Sequence, residues 1–257
     1  MEITQNKDWQ RIKSLIPKPL FEPSINVYYA LHRLRYVGNK VYCPICENKH
    51  SQFVSSSCPS CGSGVRHRIF WTFLLRHTNF FQDNLKVLHF APEHCFFEKI
   101  KKLPNIDYLS ADIGSPRAMV QIDMTDIQYP DSSFDVIFSN HVLEHVNDDL
   151  KAMRELYRVQ RENGWSIHLV PINYSNSFTY EDPSIVTPEE RKKAYGHHDH
   201  KRLYGTDYKN RLESAGFNVT VFKSEEFCTE NEIIDMGMRK GFEIYLCKKN
   251  SLNLSNF

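Results

Sequence analysis

Two groups of residues in this chain have the types and spacing that chemistry requires. The first is Cys43-Pro-Ile-Cys46 and Cys58-Pro-Ser-Cys61, two knuckles separated by a polar stretch of eleven residues. Two residues between cysteines let both thiolates of one turn bind a single ion, and two such knuckles complete a tetrahedral shell of four sulfurs. A shell so filled has no open position. The spacing therefore predicts a structural zinc ribbon over residues 41–64, with Zn2+ held by Cys43, Cys46, Cys58 and Cys61. A redox dithiol competes less well, because one Cys-x-x-Cys pair suffices for that chemistry. The second group is His141, Glu144 and His145, spaced i, i+3, i+4, which one helical turn would present on a single face. Such a face can serve as general base toward a hydroxyl, or bind a divalent metal that lowers the hydroxyl's pKa. It can equally do no more than cap a helix and satisfy the core.

The elements around the second group place it. Phe134, Val136, Ile137 and Phe138 form a short apolar run after the turn residues PDSS, which predicts a buried strand. It stops at Asn140 and His141, where an open α/β sheet presents its carboxyl edge to ligands. A helix from about 147 to 160 and an apolar strand, WSIHLVP, complete a β-α-β unit. Upstream, KVLHFAPE (86–93) reads as the first strand of the same sheet and IDYLSADIG as the second, ending at Asp112. A carboxylate there, about twenty residues after the first strand, can accept both hydroxyls of a ribose; an Asp before Gly is also an ordinary turn former. A short strand VQID ends at Asp123. Residues 172–205 lack apolar periodicity and read as a lid or binding loop carrying Tyr174, Tyr180, His197, His198, Asp199, His200, Arg202 and Tyr204. Two short helices are expected in residues 1–40, the first on Trp9, Ile12, Leu15 and Ile16 and broken by PKP. A helix over 65–81 joins the ribbon to the sheet, with Arg66, His67 and Arg68 read as capping or solvating it.

With VQIDMTDIQYPD, FDVIFSN, VLEH at Val142–His145 and ELYRVQRENG, the chain resembles class I S-adenosylmethionine-dependent methyltransferases of the ubiquinone-biosynthesis-like type, also called type 11, over residues 86 to about 247. With its ribbon and its His-x-Ala-Pro-Glu turn at His89–Glu93, it resembles a bacterial group among them. The resemblance implies a Rossmann-like, seven-stranded α/β sheet whose last strand is antiparallel, over residues 85–250. Ahead of it stand N-terminal helices (1–40), the ribbon (41–64) and the connecting helix (65–84). It implies S-adenosylmethionine lying against His89, Ala91, Glu93, Asp112, Asp123, Met124 and Asn140, with Asp123 toward the adenine amine and Met124 on the ring. The family's glycine-rich turn is here Ala91, Pro92, Glu93 and Cys95, a departure from the usual loop. Asp199-His200-Lys201 is similar to a segment of metal-dependent small-RNA ribose methyltransferases, in which an ExxEH triad and a later His hold a metal beside the target hydroxyl. That likeness, with His141 in place of the first Glu, implies His141, Glu144, His145 and His200 as the catalytic set or as ligands of a second divalent metal.

Composition narrows the function classes. The 257 residues carry 32 basic and 31 acidic side chains, so no bulk attraction to nucleic acid or an anionic membrane is expected. No apolar run approaches the ~20 residues needed to span a bilayer, and MEITQNKDWQ lacks the apolar core of a signal peptide, which predicts a cytoplasmic protein. The expectation is O-methylation of a sugar or small-metabolite hydroxyl. Two rivals remain: an RNA- or protein-modifying enzyme that uses the ribbon as reader, and a non-catalytic scaffold on a methyltransferase fold.

Overall fold

The computed structural model describes residues 18–249. The expected helix on Trp9 to Ile16 lies outside the described residues. The first helix here, α1 (Lys18–His32), begins inside PKP and contains Pro23, so the proline-rich stretch opens a helix that was expected to begin beyond it. A 3-10 turn leads into β1 (Val37–Tyr42), which pairs antiparallel with β2 (Lys49–His50) and so crosses the expected boundary at residue 40. The two cysteine knuckles repeat one backbone turn. Glu47 N–H bonds Cys43 carbonyl and Gly62 N–H bonds Cys58 carbonyl, with Glu47 at φ 61° and Gly62 at φ 72°. At Gly62 a β-carbon would sit 1.9 Å from the hydroxyl of Tyr29 on α1, so only glycine fits the left-handed turn there.

Helix α2 (Val65–His77) leads into the sheet. The strands are β3 (Leu85–Phe90), β4 (Ile106–Asp112), β5 (Val120–Gln121), β6 (Phe134–Asn140), β7 (Gln160–Leu169), β8 (Phe217–Lys223) and β9 (Glu243–Lys249), in spatial order β5-β4-β3-β6-β7-β9-β8. β5 to β7 run parallel with β3 and β4, and β9 runs antiparallel to both its neighbours. The fold is thus α/β, with the seven-stranded Rossmann-like sheet expected. β3 and β6 are buried along nearly their whole length, as strands covered on both faces must be. The chain leaves β3 toward β4 and β5 and then returns to β6 on the other side of β3, so the strand order reverses between β3 and β6. That is where open sheets of this kind bind ligands.

Helix α3 (His94–Ile100) follows β3. Helix α4 (Asp149–Val159) buries Ala152, Met153, Leu156 and Val159, and the Asp148 side chain caps it by accepting from Lys151 N–H. Within 172–205 a helix, α5 (Pro188–Tyr195), was not expected from apolar periodicity. Its signals are local: Thr187 and Glu190 form a capping box, and Gly196 ends it at φ 80°. Helix α6 (Tyr208–Ser214) precedes β8, and two short helices, α7 (Ser224–Phe227) and α8 (Glu230–Asp235), lie before β9. Among the described residues no helix is long and apolar enough to cross a membrane.

Arg68 on α2, fully buried, ties the ribbon to this body. Its guanidinium donates to the carbonyls of Ser56 and Ser63 in the ribbon, at 3.1 and 2.5 Å, and to those of Met236 and Gly237 after α8, at 2.5 and 2.8 Å. It also lies 4.0 Å over the Phe53 ring. Arg68 therefore neither caps nor solvates α2; it is the joint between ribbon and sheet.

Candidate active site

The cleft over the C-terminal edge of β3, β4 and β6 is built first by the turn after β3. Ala91 adopts φ 48°, a left-handed backbone that a glycine would take without strain, so the turn keeps the bend without the residue type that favours it. Glu93 is the N-cap residue of α3. Its Oε2 lies 3.0 Å from His89 Nε2, while His89 Nδ1 lies 2.9 Å from the Tyr108 hydroxyl. Burial pushes the Glu93 carboxyl up, but the His89 hydrogen bond and the surrounding cationic groups outweigh it and hold it at about 2. His89 itself is completely buried and lines neither of the two cavities described next; its hydrogen bond positions Glu93.

Two cavities occupy this edge. One, of about 450 Å³, is lined by Asp112, Ile113, Asp123, Met124, Val142, His145 and Val146 among others. The second, of about 210 Å³, lies between the second cysteine knuckle, the start of α2 and the β3–α3 turn, with Arg66, His67 and Glu93 on its walls. Both include Ala91 and Asp112 in their walls, so the two cavities adjoin across these residues. Asp112 Oδ1 accepts the Gly114 and Ser115 N–H groups at 2.7 Å, which is the turn-forming role; Oδ2 stays available on the cavity wall. Asp123 divides its oxygens the same way, Oδ1 going to Thr125. Met124 is buried and faces this cavity. Asn140 is buried, lines neither cavity, and its Oδ1 has no partner.

The segment after β6 is not the helical turn that its spacing suggested. Residues 141–148 form turns, with His141 at φ 56°, and α4 starts only at Asp149. The cause lies far away in sequence. The Arg202 guanidinium, 2% exposed, donates to the carbonyls of Leu143, Val146 and Asn147, three acceptors that helical bonds would otherwise use. Lys201 N–H takes the Glu144 carbonyl as well. The three side chains consequently do not share one face. Glu144 Oε1 lies 3.2 Å from His141 Nδ1, whereas His145 turns to His200, whose ring stands nearly perpendicular at 4.8 Å between centroids.

Glu144, His145 and His200 offer ligand atoms that all lie within 4.8 Å of one another. Two polar atoms here are buried without a partner, Glu144 Oε2 and His200 Nδ1. Burial lowers the pKa of His200, so its imidazole is neutral and able to accept a proton at neutral pH. His145 Nδ1 is 3.2 Å from Asp199 Oδ2, and His197 contacts the other Asp199 oxygen.

Other residues of the 172–205 segment anchor it instead. Tyr204 is fully buried and donates to Asp149 Oδ2 at 2.7 Å, and Asp149 also pairs with Arg211 and Arg202. Tyr174 donates to Glu243 on β9, and Tyr180 packs on Tyr195. The segment is thus held down along one side, and its 197–200 turn meets the cleft only through His145, which lines the larger cavity and contacts Asp199 and His200. Sequence reasoning missed Arg66, His67, Ile113 and Val146 as cleft-lining residues. The only available signal for the first pair was a basic Arg-His-Arg run directly after a ribbon.

The four cysteines form the other cluster. Cys43 and Cys61 sulfurs stand 3.7 Å apart and Cys46 and Cys58 sulfurs 3.6 Å, far beyond a disulfide bond and close to the ~3.8 Å edge of a sulfur tetrahedron built on ~2.3 Å zinc bonds. Ser63 Oγ approaches Cys43 and Cys61, and His50 Nε2 approaches Cys58, as outer partners of such a shell do.

Comparison with known proteins agrees with this architecture. A family model described as a methyltransferase domain matches residues 98–168, from α3 through most of β7. The central segment is a methyltransferase domain, and the enzyme class is that of the S-adenosylmethionine-dependent methyltransferases. Among solved structures, the [4+2]-cyclase SpnF superposes with a TM-score of 0.52 at 12% identity, covering 94% of this chain and 96% of that one. A putative sarcosine dimethylglycine methyltransferase from Galdieria sulphuraria gives 0.47 at 15% identity, over 67% of this chain and 81% of the other. The 1,6-didemethyltoxoflavin-N1-methyltransferase of Burkholderia thailandensis, solved with 1,6-didemethyltoxoflavin and S-adenosylhomocysteine bound, gives 0.45 at 12% identity, over 71% of this chain and 78% of the other. At such identities it is the fold that the SpnF likeness establishes. Among curated proteins no match is found.

Proposed function

We propose that this enzyme transfers a methyl group from S-adenosylmethionine to a hydroxyl of a sugar or other small polyhydroxyl metabolite. The observation that carries the reading is that two cavities adjoin at Ala91 and Asp112 on the sheet edge, with His145 of a histidine and carboxylate cluster on the wall of the larger. The adenosine would occupy the larger cavity, its ribose on Asp112 Oδ2, its adenine near Asp123 and between Met124 and Val142. The sulfonium supplies the electrophilic methyl. What this chain adds is position: the acceptor oxygen held about 3 Å away and in line, with water excluded. His200 Nδ1 would take the hydroxyl proton. Glu144, held by His141, would balance the charge that develops there.

The same set fits a divalent cation, since Glu144 Oε2 and His200 Nδ1 are unsatisfied and His145 completes three donors of nitrogen and oxygen type. A bound cation would lower the acceptor's pKa. The cysteines, by their tetrahedral spacing, would hold zinc as a structural ion. Small-molecule specificity is favoured over a macromolecular reader role for the ribbon because its second knuckle is packed against α1 and the cleft. The test is release of S-adenosylhomocysteine on incubation with S-adenosylmethionine and a panel of nucleotide sugars and free glycosides, with His200→Ala alongside. Turnover with a hydroxylated acceptor, lost in the variant, is the expected result. Turnover only with RNA or protein would reject the acceptor class.

A further inference from the structure

The smaller cavity holds a set of side chains whose bonding capacity is unspent. Arg66, one residue into α2, makes no hydrogen bond or ion pair among the described residues, and its Nε is buried without a partner. The other guanidinium on this cavity, Arg117, is committed: Nε to Glu22 at 2.6 Å and Nη1 to the Pro92 carbonyl at 3.2 Å. Glu93 Oε1 is buried and forms no hydrogen bond, lying 3.6 Å from His67 Nε2, which is equally unpartnered. His67 is only 4% exposed, and burial, reinforced by the Arg66 charge, pushes it down to about 3, so it is neutral. Orphaned buried polar atoms are costly, and a convergence of three in one cavity calls for a ligand that satisfies them.

We infer that Arg66 and Glu93 form a clamp for an α-amino-acid group, Arg66 taking the α-carboxylate and Glu93 Oε1 the α-ammonium, at the far end of the cleft from the adenosine. One fixed cation and one fixed carboxylate oxygen complement a zwitterion, and the neutral His67 edge adds a polar contact without a third charge. The inference rests on the cofactor reading above and adds the part of S-adenosylmethionine that the glycine-poor turn leaves unexplained. It also gives the ribbon a role in the site, since Cys61 and Gly62 wall the same cavity and lead within a few residues to Arg66. The cofactor's amino-acid end is thereby held from the ribbon side rather than by the turn alone.

The discriminating probe is 5′-methylthioadenosine, which keeps the adenosine and sulfur of S-adenosylhomocysteine but lacks the amino acid. By calorimetric titration the zinc-loaded wild type should prefer S-adenosylhomocysteine. Arg66→Ala should weaken S-adenosylhomocysteine by about 10- to 100-fold, the range for charge-assisted hydrogen bonds, while leaving methylthioadenosine within about twofold. Glu93→Gln should act in the same direction, and Arg66→Lys should recover part of the loss. Because Arg66 bonds nothing among the described residues, its substitution should leave the melting temperature unchanged. Equal weakening of both ligands, or no weakening of either, overturns the clamp but keeps the cofactor reading. Binding of neither ligand by the wild type overturns the cofactor reading and the clamp together.

Discussion

The cysteine cluster and the histidine cluster are both gatherings of metal-ligating side chains, and they differ in every respect that separates structure from chemistry. The first is all sulfur, buried or half-buried, closed to a fifth ligand, and backed by an arginine that bonds four carbonyls. The second mixes nitrogen and oxygen donors, is half-open to the cleft, and keeps two buried polar atoms unsatisfied. A site built for stability spends its bonding capacity within the protein, whereas a site built for chemistry leaves some for a ligand. The amino-acid end of the cleft follows the second pattern although it sits directly beside the first cluster.

The comparison breaks most visibly if the cysteines are attacked. Cys58→Ser, or removal of the ion by a strong chelator, should lower the melting temperature by about 10 °C or more, because the ribbon's folding energy is largely its ion's binding energy. S-adenosylhomocysteine affinity should fall with it. An unchanged melting temperature in both experiments would show that the cluster holds no structural ion.

His200→Ala should do the converse. We expect a melting temperature within about 2 °C of the wild type but a kcat lower by roughly 10²- to 10⁴-fold, the usual contribution of a positioned base. A large loss of stability with little loss of rate would place His200 with the structural residues.

Arg68→Met sharpens the structural side. It leaves the carbonyls of Ser56, Ser63, Met236 and Gly237 without their donor, which should cost about 3 kcal/mol, or some 6–12 °C in melting temperature, measurable by calorimetry.

His168 gives the smallest effect and a control for histidines as a class. It is buried within β7, its Nδ1 lies 2.8 Å from Ser139 Oγ, and burial holds it at about 3. Its folded pKa is depressed, so the unfolded chain binds the proton more readily below about 6.5. The stability it contributes is complete above that pH and is lost progressively toward pH 3, about 2 kcal/mol of it by pH 5. His168→Gln should flatten stability over this range when unfolding is followed against pH, and His200→Ala, at the less buried cluster, should flatten it less.

What was legible in the sequence follows the same divide. The cysteine knuckles could be read because their geometry is local: two residues between ligands fix each turn. The strands β3, β4 and β6 were legible as apolar runs, and Asp112 came from its position at the end of β4, whereas Asp123, just after β5, came from the family resemblance. His141, Glu144 and His145 were misplaced onto a helical face because the three carbonyls of that turn are captured by Arg202, more than fifty residues away, a contact that periodicity does not carry. Arg66 passed for a solvated residue for a related reason: nothing local distinguishes an unspent guanidinium from a hydrated one until Glu93 and the second knuckle are brought up beside it. Tyr204 and Arg202, read as ligand-binding groups on a loop, are the buried bolts that fasten that loop to α4.

The central claim is that the cavities meeting at Ala91 and Asp112 bind the adenosyl cofactor despite the glycine-poor turn. Its most direct test is calorimetric titration of S-adenosylhomocysteine into the zinc-loaded protein, with Asp112→Ala in parallel. The account predicts one site per chain with micromolar affinity, weakened at least tenfold in the variant as the ribose loses its acceptor. No heat of binding in the wild type, or unchanged affinity in the variant, would contradict it.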